Sequence, residues 1–365
     1  MLNNKTVAVV VPAYNEETQI EMVIATMPDF VDRIIIVNDK SKDKTADAVL
    51  KHVLANNKSS ISIKGFSMEG LESKYKRAQK VVYQQYELEK KHFTPSEIVN
   101  KDPDNEKVIL INHLENGGVG ATIATGYKWC KDHHIDCTAV MAGDGQMDPD
   151  ELESICRPVV DENIDYVKGN RLIHRSAWLV IPKTRYFGNS ILSILTKVAS
   201  GYWHVSDTQT GYTAISLKAM QSIRLHDIYK SYGMPNDMLV KLNIAFCTLR
   251  EVEIKPVYDV GEKSKMKIFK VIPKITWLLI KCFFKRLWVK YLFRDFHPLF
   301  LLYNFSFAMI LCSIPYIIKI IKSFILQTEI GALPVLAFFF MFITGIQFLL
   351  FAMWMDIQDN ERLYK

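Results

Sequence analysis

Two apolar stretches near the C-terminus, residues 298–318 and 330–355, contain no Asp, Glu, Lys or Arg. Each is long enough to cross a hydrocarbon core of about 30 Å at about 1.5 Å per residue. Lipid offers the backbone no hydrogen bonds, so such stretches fold as helices and hold the rest of the chain at a membrane surface. Either stretch alone also fits the core helix of a large domain; two in succession favour spans. Asn304 and Gln347 are placed either to join the two helices by a hydrogen bond or simply to pack.

The charge pattern points the same way. Net charge is +6, yet Lys263, Lys265, Lys267, Lys270, Lys274, Lys281, Lys285, Arg286, Lys290 and Arg294 fall in one segment without an acid. Removing these ten from 45 basic residues leaves 35 against 39 acidic ones, so the remainder is net −4. Ile268, Phe269, Ile272, Trp277, Phe283, Phe284 and Trp288 interleave with the stripe, which predicts interfacial helices on an anionic membrane rather than a nucleic-acid surface. The connection between the spans carries only Lys319, Lys322 and Glu329, so the basic side and the large N-terminal domain are expected in the cytoplasm. No secretory signal is visible at the start, where the first apolar run is only a strand's length. The six cysteines lack a C-x-x-C pattern and read as reduced fillers; the histidines form no metal pattern, His133 and His134 reading as an exposed helix end.

The N-terminal part alternates buried-strand runs with helical patterns. Residues 5–11 and 33–37 are strands by composition, as are 107–112 and 138–141, and each stops at polar residues. Ligands of open α/β sheets bind where strands end, so these ends define one crevice. The turn A-G-D-G-Q-M-D-P at 142–149 carries Asp144, Gln146 and Asp148, oxygen donors suited to Mg²⁺ or Mn²⁺ beside a diphosphate. Read without other motifs, it is equally an acidic turn in which Asp148 caps the helix that follows. Residues 55–106 interrupt the pattern: a charged helical run at 71–91 and a polar linker through Pro103 read as an insertion, solvated or serving as a lid or homo-oligomer contact.

V-P-A-Y-N-E-E, V-N-D-K-S-K-D-K-T, N-G-G-V-G-A and A-G-D-G-Q-M-D-P occur here in the order found in inverting family 2 glycosyltransferases, and the chain resembles them over roughly residues 5–265. K-G-N-R at 168–171, T-R-Y-F-G-N at 184–189, D-T-Q-T-G-Y at 207–212 and Y-G-M-P-N-D at 232–237 extend the resemblance. With the apolar tail, the subgroup it most resembles is the membrane polyprenyl-phosphate glycosyltransferases, of which dolichyl-phosphate mannose synthase is one. The resemblance implies an α/β GT-A domain, a UDP- or GDP-linked sugar donor and an undecaprenyl or dolichyl phosphate acceptor. The domains expected are a catalytic unit at 1–262, amphipathic helices at 263–296, two spans at 297–356 and a cytoplasmic tail at 357–365.

Residue roles follow from the same resemblance. Pro12, Tyr14, Asn15 and Glu16 shape the nucleoside pocket, Asp39 accepts from the base, and Asn116, Gly117 and Gly120 open a helix whose N–H groups face the donor phosphates. Lys265 closes over the diphosphate or merely begins the basic stripe. Asp144 and Gln146 are the metal ligands. Ala142 stands where the family usually has a further Asp, so metal affinity should rest largely on the donor diphosphate and water. Arg171, Arg185 and Asn189 are the acceptor-phosphate residues. Asp207 and Asp237 are the base candidates if the acceptor is a lipid or glycan hydroxyl; otherwise Asp207 positions the donor sugar and Asp237 caps a helix. The non-enzyme alternative is a membrane subunit that binds nucleotide sugar without turnover. A processive synthase is disfavoured by the absence of Q-x-x-R-W.

Overall fold

The computed structural model describes residues 1–55, 57–65, 73–257 and 268–365, with side chains there except at 184, 185 and 268–271. Its centre is one eight-stranded sheet in the order β3-β4-β2-β1-β5-β7-β6-β8. The strands are β1 Val7–Ala13, β2 Arg33–Asn38, β3 Ser96–Ile98, β4 Val108–His113, β5 Cys137–Val140, β6 Tyr166–Asn170, β7 Thr213–Ser216 and β8 Leu249–Glu253. β4, β2, β1 and β5 run parallel, whereas β7 is antiparallel to both β5 and β6. The unbroken apolar runs of β1 and β2 follow from burial on both faces. Val7, Val9 and Val11 point into one core cluster with Ile34 and Ile36; Ala8, Val10, Ile35 and Val37 point into the other. Each such fully buried Val or Ile contributes roughly 1.5–3 kcal/mol.

Helices α1 (Ile20–Ala25), α2 (Thr45–Leu54), α3 (Arg77–Glu89), α4 (Val119–Asp132), α5 (Leu152–Glu162), α6 (Ala177–Val180), α7 (Lys183–Ser200), α8 (Leu217–Ser222) and α9 (Met234–Ile244) surround the sheet. The expected polar linker before Pro103 is instead part of the sheet edge. β3 pairs antiparallel with β4, and the Asn57 and Asn100 side chains bond the Val108 and Leu110 backbone of that strand. Fully buried Arg33 adds donors to the carbonyl oxygens of Ile61 at 2.7 Å and Asp104 at 2.6 Å, tying both arms of the insertion to β2. α3 has no buried side chain. His133 is not exposed as expected; it stacks on Trp129 at 3.8 Å. The six cysteines are free, five of them buried.

The C-terminal region is α10 (Ile268–Trp288), a π-helical turn at Val289–Arg294, α11 (Pro298–Ile325) and α12 (Ala332–Glu361). α11 and α12 are long and apolar enough to span a bilayer, and large side chains such as Leu311, Phe324, Leu333 and Phe340 point outward from them. That exposure excludes the core-helix reading. The two helices meet where the Ser306 hydroxyl donates to the Gly345 carbonyl at 2.8 Å; Asn304 bonds its own helix at Phe300. α12 runs past the apolar stretch, and residues 357–365 are no free tail. The amide of Leu249 on β8 donates to the Leu363 carbonyl, and the Lys365 amide to the Leu249 carbonyl, at 2.7 and 2.9 Å.

Two stripe cations are also misread from sequence. Lys274, Lys281 and Lys285 are exposed on α10, whereas Arg286 and Lys290 are buried against α12 and the catalytic domain. Asp356 and Asp359, one and four residues beyond the end of the apolar stretch at Met355, supply the countercharge that makes such burial tolerable.

Candidate functional site

The loops after β1 and β2 are laced together at the parallel strand ends. Asn15, at φ 57°, donates its amide to Ser41 Oγ and accepts from the Lys42 amide at 2.8 Å; the Glu16 amide donates to Thr45 Oγ1. Pro12 is next to last in β1, and its carbonyl accepts from the Gly143 amide, which joins the first motif to the turn carrying Asp144. Tyr14 and Glu16 lie on the same loop, half-buried. The first motif therefore serves as scaffold as well as candidate pocket wall.

Asp39 is 3% exposed at the end of β2. Its carboxylate accepts from His113 Nδ1 and from the Gly117 and Gly118 amides, each at 2.8 Å. Burial alone would raise its pKa, but those donors outweigh it and hold the carboxyl below the ordinary range. The expectation that the glycine amides face donor phosphates is thus corrected: they hold Asp39, and the Gly120 amide donates to the Lys230 carbonyl. The glycines answer a different need. A Cβ at Gly118 would sit 2.4 Å from the Lys230 oxygen, and one at Gly120 only 1.9 Å from the Tyr229 oxygen. Asn116 completes the turn by donating to the Asp39 carbonyl at 3.1 Å. His113, which the sequence reading passed over, also bonds Thr125 Oγ1 through Nε2 at 2.9 Å.

Beyond β5 the turn opens into a cleft lined by Asp144, Gln146, Met147, Asp148, Glu151, Arg171, Thr210, Gly211, Tyr212, Ile254, Lys255 and Val257. Asp144 Oδ1 accepts from the Gln146 amide, so the acid and the amide share one tight turn at Gly145, where φ is 73°. Asp148 caps the short helical turn at Pro149–Glu151, as the alternative reading had it, and also meets Lys255 Nζ at 3.2 Å. Among the described residues no three His, Cys, Asp or Glu side chains group as a complete metal site. The oxygen donors of Asp144 and Gln146 suit a hard cation that takes its remaining ligands from phosphate and water, in keeping with the missing carboxylate at Ala142.

Arg171 also lines this cleft. Its Nε and Nη2 donate to Asp207 at 2.8 and 3.1 Å, and Asp207 is fully buried. Burial would raise the Asp207 pKa, but Arg171 and Lys168 keep it lowered. Asp207 also accepts from the Gln209 and Thr210 amides, which leaves it a positioning anion and removes it as a base candidate. Asp237 goes the same way. It is 5% exposed in the first turn of α9, pairs with Lys241 and accepts from the Tyr229 amide, and it does not line the cleft. Asn189 lies half-buried on α7; Arg185 lies on the same helix, but its side chain, like the whole of Lys265, falls outside the described residues. Lys255 follows no motif, and Tyr212 ends D-T-Q-T-G-Y without a role read for it from sequence; both reach the cleft because β7 and β8 flank β6.

The family model described as Glycosyl transferase family 2 matches residues 8–69 and 94–224, leaving out the span that contains α3. The UDP-N-acetylglucosamine–dolichyl-phosphate N-acetylglucosaminyltransferase of Methanococcus voltae is 30% identical over 261 residues, covering 70% of this chain and 87% of that protein. An uncharacterized protein of Methanocaldococcus jannaschii is 25% identical over 266 residues, 72% of this chain and 86% of its own. Glucosyl-3-phosphoglycerate synthase from Mycobacterium tuberculosis, solved with Mn²⁺, UDP and phosphoglyceric acid, superposes over 78% of both chains at 15% identity and a TM-score of 0.45.

Proposed function

The chain belongs to glycosyltransferase family 2, and we propose that this enzyme moves a sugar from a UDP-linked donor to a polyprenyl phosphate at the cytoplasmic face of a membrane. Its GT-A domain carries two C-terminal apolar helices. The observation that carries the acceptor assignment is the Arg171 guanidinium, held by Asp207 in the cleft that Asp144 also lines. The Methanococcus voltae relative, whose name gives a UDP-sugar donor and a dolichyl phosphate acceptor, supports the same reading.

The chemistry asks little of a base. A phosphate monoester is anionic near neutral pH; its oxygen attacks the anomeric carbon in line, the bond from that carbon to the nucleoside diphosphate breaks, and configuration inverts. Asp207 and Asp237, both engaged by cations, fit a mechanism without a side-chain base. Arg171 binds and orients the acceptor phosphate through charge-assisted hydrogen bonds, with Arg185 and Asn189 of α7 proposed as its companions. Asp144 and Gln146 would hold Mg²⁺ or Mn²⁺, and the cation when bound would supply positive charge for the departing diphosphate. The half-buried loop at Tyr14, Asn15 and Glu16 supports the nucleoside.

Membrane placement rests on α11 and α12 and on the outward faces of α6, α7 and α10, where Trp178, Leu179, Phe187, Ile191, Trp277 and Phe284 are exposed. Exposed Lys274, Lys281 and Lys285 favour the anionic cytoplasmic leaflet. The test is transfer by purified protein from UDP- and GDP-sugars to polyprenyl phosphate and to the corresponding alcohol. Product on the phosphate with a UDP-sugar is expected. Product only on the alcohol overturns the acceptor, a GDP-sugar preference overturns the donor, and donor binding without any product supports the non-catalytic subunit.

A further inference from the structure

Two charged side chains that the reaction does not touch, Lys168 and Glu251, sit in register on the neighbouring strands β6 and β8 beside Arg171. Lys168 on β6 is fully buried; its ammonium donates to the Thr210 carbonyl, and its charged neighbours are Asp207, Glu251 and Arg171. Its strand partner on β7, Thr213, carries no charge. Glu251, half-buried on β8, accepts from the Ser206 amide at 2.9 Å and the Asp207 amide at 3.0 Å. It also accepts from Asn170 Nδ2 at 2.9 Å, and Asn170 Oδ1 in turn accepts from the Leu172 amide at 2.9 Å. Glu251 therefore fixes the backbone on both sides of the ion pair: residues 170–172, which carry Arg171, and residues 206–207, which carry its carboxylate.

We propose that Glu251 and Lys168 are positioning residues for the acceptor phosphate, acting through Asp207 to hold the Arg171 guanidinium at the cleft wall. The inference rests on the reading of Arg171 as an acceptor-phosphate ligand. Its physical basis is charge balance: two cations and two anions share a site largely closed to water, so loss of either outer charge leaves an uncompensated one that pulls on the Asp207–Arg171 pair. With Nε and Nη2 committed to Asp207, the orientation of the guanidinium plane is set by the carboxylate, and the carboxylate by the Glu251-bound loop. Burial lowers the Lys168 pKa to about 8. Deprotonation leaves the four groups net negative, which opposes an anionic acceptor.

The experiment measures KM for polyprenyl phosphate and for the donor, with full-length protein in vesicles, for the parent, Glu251→Gln, Lys168→Met and Arg171→Ala. Glu251→Gln and Lys168→Met should each raise the acceptor KM about tenfold, the scale of one charged hydrogen bond, with donor KM within about twofold. The parent's acceptor KM should rise between about pH 7 and 9, and Lys168→Met should remove that rise. Glu251→Gln is nearly isosteric and carries the test if the buried Lys168→Met does not fold. Equal shifts in both KM values, no shift in either, or a pH-dependent rise that persists in Lys168→Met would each overturn the inference. Arg171→Ala separates the two levels. An unchanged acceptor KM there defeats the acceptor reading itself, whereas a raised one alongside normal Glu251→Gln and Lys168→Met defeats only the positioning role.

Discussion

Arg286 of α10 and Asp356 of α12 form a two-pronged ion pair, Nη1 to Oδ1 at 2.7 Å and Nη2 to Oδ2 at 2.8 Å, with both side chains at most 1% exposed. The same guanidinium donates to the Ala199 and Val198 carbonyls that end α7, and Lys290 reaches Asn243 of α9 at 3.0 Å. The second span is thereby fastened to the catalytic domain through a juxtamembrane helix. This fixes how the catalytic domain sits relative to α12.

Because both charges are buried, Asp356→Asn should destabilise the protein by about 3–5 kcal/mol, the usual consequence of stranding one partner. The double change Arg286→Met with Asp356→Leu should recover most but not all of this, since two carbonyls lose a donor. Lys281→Gln with Lys285→Gln should leave the unfolding midpoint in detergent unchanged and weaken attraction to anionic vesicles by about 1 kcal/mol per residue. Unfolding curves of the three variants decide it; an Asp356→Asn midpoint equal to the parent's rules the latch out.

The catalytic sheet was largely readable because its strands are short apolar runs stopped by Pro, Asn, Asp and Gly, a local signal. The edge strand Ser96–Ile98 was not, since it is exposed and is held by its pairing with β4 and by Asn100 beside it, bonds that no local pattern announces. Asp39, Asp144 and Arg171 stand in motifs that the sequence shows, but which side chains pair with them does not follow from those motifs. His113 looked like one more histidine, and Asp207 like a base, until the fold set each against its counterion or hydrogen-bond partner. The basic stripe shows the same limit: composition cannot tell exposed Lys285 from buried Arg286 beside it.

Gly120 and Gly188 should respond oppositely to alanine. At Gly120 a methyl group would lie 1.9 Å from the Tyr229 carbonyl oxygen, a backbone atom that cannot rotate away. Gly120→Ala should lose about 1–3 kcal/mol or more and weaken donor binding by displacing the Asn116–Gly118 turn. Gly188 lies on α7 with nothing within 4 Å of an added Cβ, so Gly188→Ala should gain about 0.5–1 kcal/mol. Melting both variants checks the pair, and similar shifts of one sign would contradict the close approach at Gly120.

Asp39 gives the domain a defined acid sensitivity. Its folded pKa is held below that of the unfolded chain, so its contribution is present above about pH 4 and is lost as pH falls through the folded value. Asp39→Asn should be less stable than the parent at neutral pH, and the gap should close on acidification. Denaturant midpoints taken from about pH 6 down to pH 3 measure it. A gap that stays constant over that range would mean that His113 and the two glycine amides do not depend on the charge.

Asp144 and Ala142 make the last prediction. Of the paired acids that the family resemblance would give this turn, the chain keeps Asp144, whose Oδ1 is braced by the Gln146 amide, and has Ala142 in place of the other. If Asp144 is the chief protein ligand, Asp144→Asn should cut turnover by at least about a hundredfold, the scale of a lost electrostatic term at a developing charge. Donor affinity measured without metal should change far less. Ala142→Asp adds the absent carboxylate to a half-buried position whose amide already meets the Met147 sulfur, and it should lower the Mn²⁺ concentration needed for half-maximal rate. The two substitutions act on one cation from opposite directions, so their effects should not be additive. In the Asp144→Asn background Ala142→Asp should restore part of the lost rate, because a carboxylate is again available to the cation. A full-rate Asp144→Asn enzyme at saturating Mg²⁺ or Mn²⁺ would refute the assignment outright, and an unmoved metal titration in Ala142→Asp would place that side chain away from the cation.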